Sequence, residues 1–340
     1  MPIYNNETGF ECGFPITGVS YIGNPQTNTA MYITKKVEHL ICGLENKENC
    51  LVFAEKGIDI PEECSEKNCF VLSDNPRLAY VRYAEIIWRE YEKRERKRKY
   101  TLTEGGYYIG ENVTLGEGTY IEPSCVIGHD VVIGKNATIY AGAVVKRAII
   151  GDNFIANENC AIGANGYVLS IDEDGNRVRI PTMGKVIIGN NVEIGALNNI
   201  SVGTADNTII EDFVKLDALV YVGHDSKLGY NVEIPAGVTV GGYCVMEAGA
   251  FAGFNSTIHN RIRIGKGSMI GMGATVLKSV DAHAVMAGVP ARRIGWACEC
   301  GHILKDSLEC PECGRKYVET ENGLLNAPHD TYGKDNITEK

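Results

Sequence analysis

The sequence predicts a mainly β solenoid of short strands, and three observations carry that reading. An aliphatic residue returns every sixth position between Tyr108 and Lys278, usually with a small residue after it, as in Ile109-Gly110, Leu115-Gly116, Ile127-Gly128 and Ile133-Gly134. From Ile210 the register runs through Leu216, Val222, Leu228, Ile234, Val240, Met246, Ala252, Ile258, Ile264 and Ile270 to Val276 without a slip. The 39 glycines and only 8% aromatic residues suit tight corners around a thin prism. A period of six matches neither a helix at 3.6 nor a lone strand at two, so each group of three hexads is read as one triangular coil. Coils stacked about 4.8 Å apart, about eight or nine of them, give a column on the order of 40 Å long.

The rest of the chain divides around this column. Residues 1–100 form a small α/β domain with a linker helix, 101–294 the column, 295–320 a metal-binding ribbon and 321–340 a mobile polar tail. In the first domain Val19–Ile22, His39–Cys42, Cys50–Phe53 and Cys69–Leu72 read as buried strands. Asp74-Asn75-Pro76 then starts a helix, with Leu78, Val81, Ala84, Ile87 and Trp88 at roughly helical spacing. The alternating charges from Glu90 to Lys99 read as a solvated helix end. The regular register is broken by a long polar segment, residues 164–184, and by a shorter bulge at Gly203–Asp206. Long loops on rigid scaffolds commonly border sites.

A net charge of -10 argues against a nucleic-acid surface. No apolar run is long enough for a membrane span, and the N-terminus lacks a signal-peptide pattern, so a cytoplasmic protein is expected. Of the 12 cysteines, those scattered singly read as reduced small hydrophobes. Cys298-Glu299-Cys300-Gly301-His302 and Cys310-Pro311-Glu312-Cys313-Gly314 are two close pairs whose tight knuckles can set four thiolates tetrahedrally around a structural Zn²⁺. His302 is the alternative ligand. Such a ribbon would also cap the end of the column, which otherwise exposes strand edges. Within the unbroken register, an outward His224 beside carboxylates has the intrinsic chemistry for proton transfer at neutral pH.

The hexads resemble those of the bacterial hexapeptide acyltransferases, and this resemblance implies a left-handed parallel β-helix. More narrowly, Ser20-Tyr21-Ile22-Gly23-Asn24-Pro25 and Val71-Leu72-Ser73-Asp74-Asn75-Pro76 resemble the uridine-binding domain of the UDP-3-O-acyl-glucosamine N-acyltransferase family, with Thr27 and Arg77 where that family carries aromatic residues. The segment from Gly163-Ala164-Asn165-Gly166 through Ile180-Pro181 to Gly184 also resembles it. In that family a His in an Asp-Asn-x-x-x-x-Ala-His-Asn motif is the general base. Asp217 and His224 match its spacing, while Ala218, Gly223 and Asp225 depart from it.

The resemblance implies acyl transfer from a thioester to the amine of a nucleotide-linked amino sugar, with His224 as base and Asp217 orienting it, from the same chain or a neighbour in a homotrimer. It implies substrate contacts at Asn24, Asn165, Tyr167, His259 and Arg261. Ala287-Gly288-Val289-Pro290-Ala291-Arg292-Arg293 resembles the closing segment of enzymes that use acyl-coenzyme A, which places Gly288, Arg292 and Arg293 at the donor and favours acyl-CoA over acyl carrier protein. A sugar O-acyltransferase and a non-catalytic sugar-nucleotide-binding scaffold are the other readings.

Overall fold

The computed structural model describes residues 3–4, 11–304 and 307–327. Its N-terminal domain is a five-stranded parallel sheet in the order Ile3–Tyr4, Cys69–Ser73, Leu51–Glu55, Thr29–Ile33 and Gly18–Val19. Alternation along the central strands gives the sheet two apolar faces. Met31, Ile33, Val52, Ala54 and Phe70 pack beneath the short helix α1, Glu62–Lys67. Ala30, Leu51, Phe53 and Val71 pack under helix α2, Pro76–Glu95. Helix α2 starts where the sequence predicts, with the Asn75 side chain accepting from the Leu78 amide and Pro76 in the first turn.

One expected strand is absent. His39–Cys42 lies in a 3₁₀ segment, Lys35–Leu44, whose buried residues Ile41 and Leu44 are three apart with the exposed Cys42 and Gly43 between them. That spacing serves a helical turn, and the apolar run was too short to show it.

The column is built as three parallel sheets, one per face of the prism, with 10, 8 and 11 strands including antiparallel additions at the ends. Val126 pairs with Val144 and Leu228 with Met246, so each residue lies beside its counterpart three hexads on. The hexad residues, among them Ile127, Ile133, Ile139, Val222, Leu228 and Ile234, are essentially fully buried in one continuous core. Parallel coils of hexapeptide repeats make this a left-handed β-helix.

At its closing end, strand Arg292–Ala297 turns back antiparallel on Ala284–Ala287 and continues into the ribbon. The expected tail begins later than the sequence suggests. Tyr317–Thr320 pairs with Gly323–Asn326, Leu324 is fully buried, and its amide bonds the Ala282 carbonyl at 3.1 Å, closing the last coil. Residues 328–340 of that tail lie outside the described residues.

The long insertion is spliced in between Ile162 and its partner Ile200. It forms an antiparallel hairpin, Leu169–Ile171 with Arg177–Arg179, laid against the N-terminal domain. Arg77 Nη2 donates to the Leu169 carbonyl at 2.9 Å, Arg82 pairs with Glu173, and Ile180 is buried against the face that α2 covers. The hairpin therefore joins the two domains.

Candidate active site

Each coil turns through three corners, and one corner collects most of the polar exceptions in the register. Taken along the column, it carries His129 and Asp130, then Lys146 and Arg147, the inserted hairpin, the Gly203–Asp206 bulge, His224 and Asp225, Gly242 and Tyr243, and Arg261. The corner residue takes a left-handed backbone: φ is 58° at both Asp130 and Asp225, 59° at Tyr243 and 62° at Arg261. Short polar residues tolerate this region best, which accounts for the aspartates.

His224 sits at the centre of a connected polar group. Its Nδ1 lies 2.8 Å from Asp225 Oδ2, and the two side chains are only 12% and 5% exposed. The same carboxylate accepts from the Thr204 amide at 3.0 Å and from Thr204 Oγ1 at 2.5 Å. Thr204 Oγ1 in turn lies 2.8 Å from Tyr243 Oη. Because an ionised carboxylate only accepts, Thr204 donates to Asp225 and the tyrosine donates to Thr204. Burial, reinforced by the nearby Asp225 charge, pushes the Tyr243 phenol well up and keeps it a donor. The chain of donors thus converges on Asp225, fixes the His224 proton on Nδ1 and leaves Nε2 as the acceptor.

Two glycines hold the ring in place. A Cβ on Gly242 would fall 2.5 Å from His224 Nε2, and one on Gly166 would fall 2.8 Å from His224 Cβ. The space in front of Nε2 therefore exists because residue 242 has no side chain. Gly166 belongs to the inserted segment, so the insertion roofs the histidine. The edge of the imidazole meets the Tyr243 ring at 5.1 Å, with the planes at 88°.

On the other side of the Asp225–Tyr243 pair is a cavity of about 310 Å³ between the column and the N-terminal domain. Tyr21, Tyr32, Tyr80, Asn207, Tyr243 and Arg261 line it, and His224 does not. The Arg261 guanidinium lies over the Tyr243 ring at 4.3 Å. Tyr80 is 2% exposed, and its hydroxyl has no hydrogen-bond partner among the described residues.

The expected site residues divide between those the fold gathers here and those it does not. Arg261 lines the cavity; Asn24 borders it, donating to Asp206 Oδ2 at 3.1 Å. Asn165 accepts from Arg147 at 2.5 Å, and Tyr167 is largely exposed beneath the Arg179 guanidinium. His259 is exposed, with Nδ1 3.1 Å from the Asn260 carbonyl. Asp217 does not meet His224 within the chain. It is exposed and accepts from its own neighbour's amide, Ala218, at 2.7 Å. One hexad advances the chain by one face of the prism, so residues seven apart stand on different corners. The partner is Asp225.

The register could have exposed Asp225 and the left-handed corner it occupies. Thr204 and Tyr243 were invisible as partners, because they meet only when three successive coils stack.

At the far end of the column, Gly288 has φ 91°. Arg293 is committed to Glu319 at 3.6 Å and to the Trp296 ring at 4.2 Å, whereas Arg292 is exposed and bonds only the Ala291 carbonyl among the described residues. In the ribbon, the sulfurs of Cys298, Cys300, Cys310 and Cys313 lie within 4.8 Å of one another, with Cys298–Cys313 at 3.5 Å and Cys300–Cys310 at 3.6 Å. A metal bound at about 2.3 Å to four thiolates separates them by roughly 3.8 Å, so this donor set fits a tetrahedral ion. His302 is not part of the cluster and lies 4.0 Å from Glu312. The Tyr317 hydroxyl donates to Cys298 Sγ at 3.1 Å.

Residues 112–147 match the bacterial transferase hexapeptide family, described as six repeats, and residues 219–251 match the hexapeptide repeat of succinyl-transferase. The chain is 35% identical over 155 residues to UDP-3-O-acylglucosamine N-acyltransferase of Rhizobium meliloti (strain 1021), a match covering 46% of this chain and 44% of the relative. The Coxiella burnetii (strain Dugway 5J108-111) protein of the same name is 34% identical over 198 residues, covering 52% of this chain and 55% of the relative. The chain thus spans about half the length of the curated relatives it matches. The solved UDP-N-acetylglucosamine acyltransferase from Campylobacter jejuni superposes with a TM-score of 0.51 at 22% identity, over 56% of this chain and 73% of that one, which supports the β-helix fold. This is a hexapeptide-repeat chain that resembles UDP-3-O-acylglucosamine N-acyltransferase.

Proposed function

We propose that this protein is an N-acyltransferase that moves an acyl group from a thioester to the amine of a nucleotide-linked amino sugar. The observation that carries the reading is the His224–Asp225 pair, with its Nδ1 proton fixed and Nε2 facing the space left by Gly242. A base held in this tautomer removes a proton through Nε2. As the sugar nitrogen bonds to the thioester carbonyl carbon, its proton passes to His224 Nε2. Collapse of the tetrahedral adduct breaks the C–S bond, and the same proton leaves with the thiolate. Asp225 stabilises the imidazolium between the two steps, and Thr204 and Tyr243 hold Asp225.

The cavity beside Tyr243 supports recognition of the nucleotide sugar. Its tyrosines offer flat faces, Arg261 a cation, and Tyr80 an unpaired hydroxyl. His224 does not line that cavity, although its neighbour Asp225 does, which favours a homotrimer in which a neighbouring column helps close the reacting space. The donor we favour is acyl-CoA, with the exposed Arg292 beside Gly288 available to its phosphates; Arg293 is already paired. In the ribbon, Zn²⁺ on Cys298, Cys300, Cys310 and Cys313 would tie the terminal hairpin to the last coil. Metal analysis of natively purified protein should return about one zinc per chain; a metal-free preparation would overturn this assignment. Cysteines that are not joined in disulfides also fit a cytoplasmic protein. Among the described residues no helix is long and apolar enough to cross a membrane.

The decisive assay pairs short-chain acyl-CoAs with nucleotide-linked sugars bearing either an amine or only hydroxyls. Amide formation should occur on the amino sugar alone, and His224→Ala should lower kcat on the order of 10²-fold or more with an unchanged thermal midpoint. Equal turnover of the hydroxyl sugar would favour O-acylation. Full activity in the variant would remove His224 from the chemistry.

A further inference from the structure

The active corner has a near-copy of itself four coils away that the proposed reaction does not use. Ile127-Gly128-His129-Asp130 repeats Val222-Gly223-His224-Asp225 at the same corner. At about 4.8 Å per coil the two histidines are roughly 19 Å apart, with the inserted hairpin between them.

The copy has different wiring. His129 Nδ1 accepts from the Glu111 amide at 2.8 Å, which places the ring proton on Nε2. That Nε2–H is buried, in a residue only 8% exposed, and has no hydrogen-bond partner among the described residues. A buried, unpaired donor is costly and calls for an acceptor.

Next to it stands a cation without a counter-ion. Arg147 bonds the Thr182 carbonyl at 2.7 Å, the Gly163 carbonyl at 3.1 Å and Asn165 at 2.5 Å, and makes no ion pair among the described residues. Burial pulls the guanidinium down from its usual value, so it too favours a neighbouring anion. The acidic groups nearby are engaged elsewhere: Asp130 and Glu95 with Arg98, and Glu90 with Lys93.

These groups border a cavity of about 850 Å³ beneath the outer half of α2, a size usual for small-molecule sites. Ile86, Ile87, Tyr83 and Met183 give it apolar walls, and Trp88 and Tyr91 form a stacked pair at 5.1 Å. The Arg147 guanidinium lies 5.7 Å over the Trp88 ring, and the exposed Lys185 stands at the rim. The cavity therefore has one apolar, ring-lined end and one cationic, donor-bearing end.

We propose that this cavity is a second ligand site, separate from the His224 corner, for a small molecule with a phosphate head and an apolar or flat-ring body. The phosphate accepts from His129 Nε2–H and pairs with Arg147 and Lys185, and the body lies against Trp88 and Tyr91. A nucleotide and an alkyl phosphate share this chemistry.

The test follows Trp88 fluorescence in full-length protein carrying Trp296→Phe, which removes the other tryptophan. Three probes are titrated: uridine diphosphate, dodecyl phosphate and inorganic phosphate. Saturable quenching is expected with one or both of the first two, and whichever acts identifies the body. Arg147→Gln should weaken it about tenfold or more and Lys185→Ala about threefold, while His224→Ala should leave it unchanged. Lys185 is exposed, so its variant decides the matter if Arg147→Gln fails to fold. The proposal falls if none of the probes saturates, if the Arg147 and Lys185 variants bind like the parent, or if inorganic phosphate binds as tightly as the others. It also falls if His224→Ala abolishes the quench. Loss of turnover in His224→Ala with the quench intact would separate this site from the acyl-transfer reading.

Discussion

His129 and His224 sit in the same Gly-His-Asp sequence, on the same corner, followed by an aspartate with the same φ of 58°. They nevertheless differ in the one respect that matters for proton transfer. At His224 the neighbouring aspartate is free to accept from Nδ1, because Thr204 supports it from the coil before and the next coil presents Gly242. At His129 the aspartate is taken by Arg98 and Asn112, and a backbone amide donates to Nδ1. One ring is left with a lone pair on Nε2 and the other with a proton. In a solenoid the motif supplies the residue, and the coils above and below decide its tautomer.

Four tests probe that contrast, in decreasing order of effect. Asp225→Asn can turn its amide N–H toward Nδ1 and so move the ring proton to Nε2, giving His224 the tautomer of His129. We expect a kcat loss of about 10²-fold or more, against a change within about twofold for Asp130→Asn. Comparable losses in the two variants would break the comparison.

Gly242→Ala should cost about tenfold or more in kcat, since its Cβ needs the space at Nε2. A normal rate with a shifted imidazole resonance would show that the ring can move and still work.

Thr204→Val removes a hydroxyl that both supports Asp225 and receives Tyr243. It should destabilise the fold by about 1–3 kcal/mol in urea unfolding and lower kcat without altering the activity pH profile in the alkaline limb. A neutral substitution would mean that the amide of residue 204 alone suffices.

The smallest effect belongs to the other corner. Arg98 holds the Asp130 carboxyl below its usual range. Its folded-state value is therefore depressed, and the stability it contributes is complete above the ordinary carboxylate value near 3.8 and is lost as pH falls through the lower folded value. The Asp130 carboxylate is 54% exposed but the Arg98 side chain only 12%, so solvent screens the pair in part; Arg98→Gln should lower stability by about 1 kcal/mol at neutral pH, and the share owed to the ion pair should be lost in strong acid. Thermal unfolding of parent and variant between pH 2 and 7 would show it.

Much of this was legible from residues alone. The hexads gave the column because burial selects aliphatic residues at every sixth place, and Ile127, Val222 and Ile234 are all sealed in its core. The paired cysteines could be read because each pair forms its knuckle locally. Asn75 announced α2 because a cap is also a local device. Other features depended on stacking. Asp217 is the partner that the family motif implies, from the same chain or a neighbour; within the chain a hexad is a rotation as well as a length, so Asp217 stands on another corner than His224. Thr204 reaches Asp225 because the bulge displaces it, and no spacing rule encodes that displacement. The 3₁₀ turn at Lys35–Leu44 was hidden because a run as short as Leu40-Ile41-Cys42 does not distinguish a strand from a turn.

The donor chain from Tyr243 through Thr204 to Asp225 and His224 ties together three consecutive coils. It is therefore also a record of how the chain can change length. Removing one hexad between residues 208 and 240 would keep every aliphatic residue in the core and yet turn the later residues onto a different corner. Removing three would bring them back. Insertions and deletions in such a column are thus tolerated by the fold in steps of six but by the proposed chemistry only in steps of a full turn, unless they are confined to the corner itself. The hairpin at residues 165–183 is confined in that way: it adds a whole structural element, the irregularity beside it is limited to a bulge between Ile162 and Ala164, and the next coil pairs in register again.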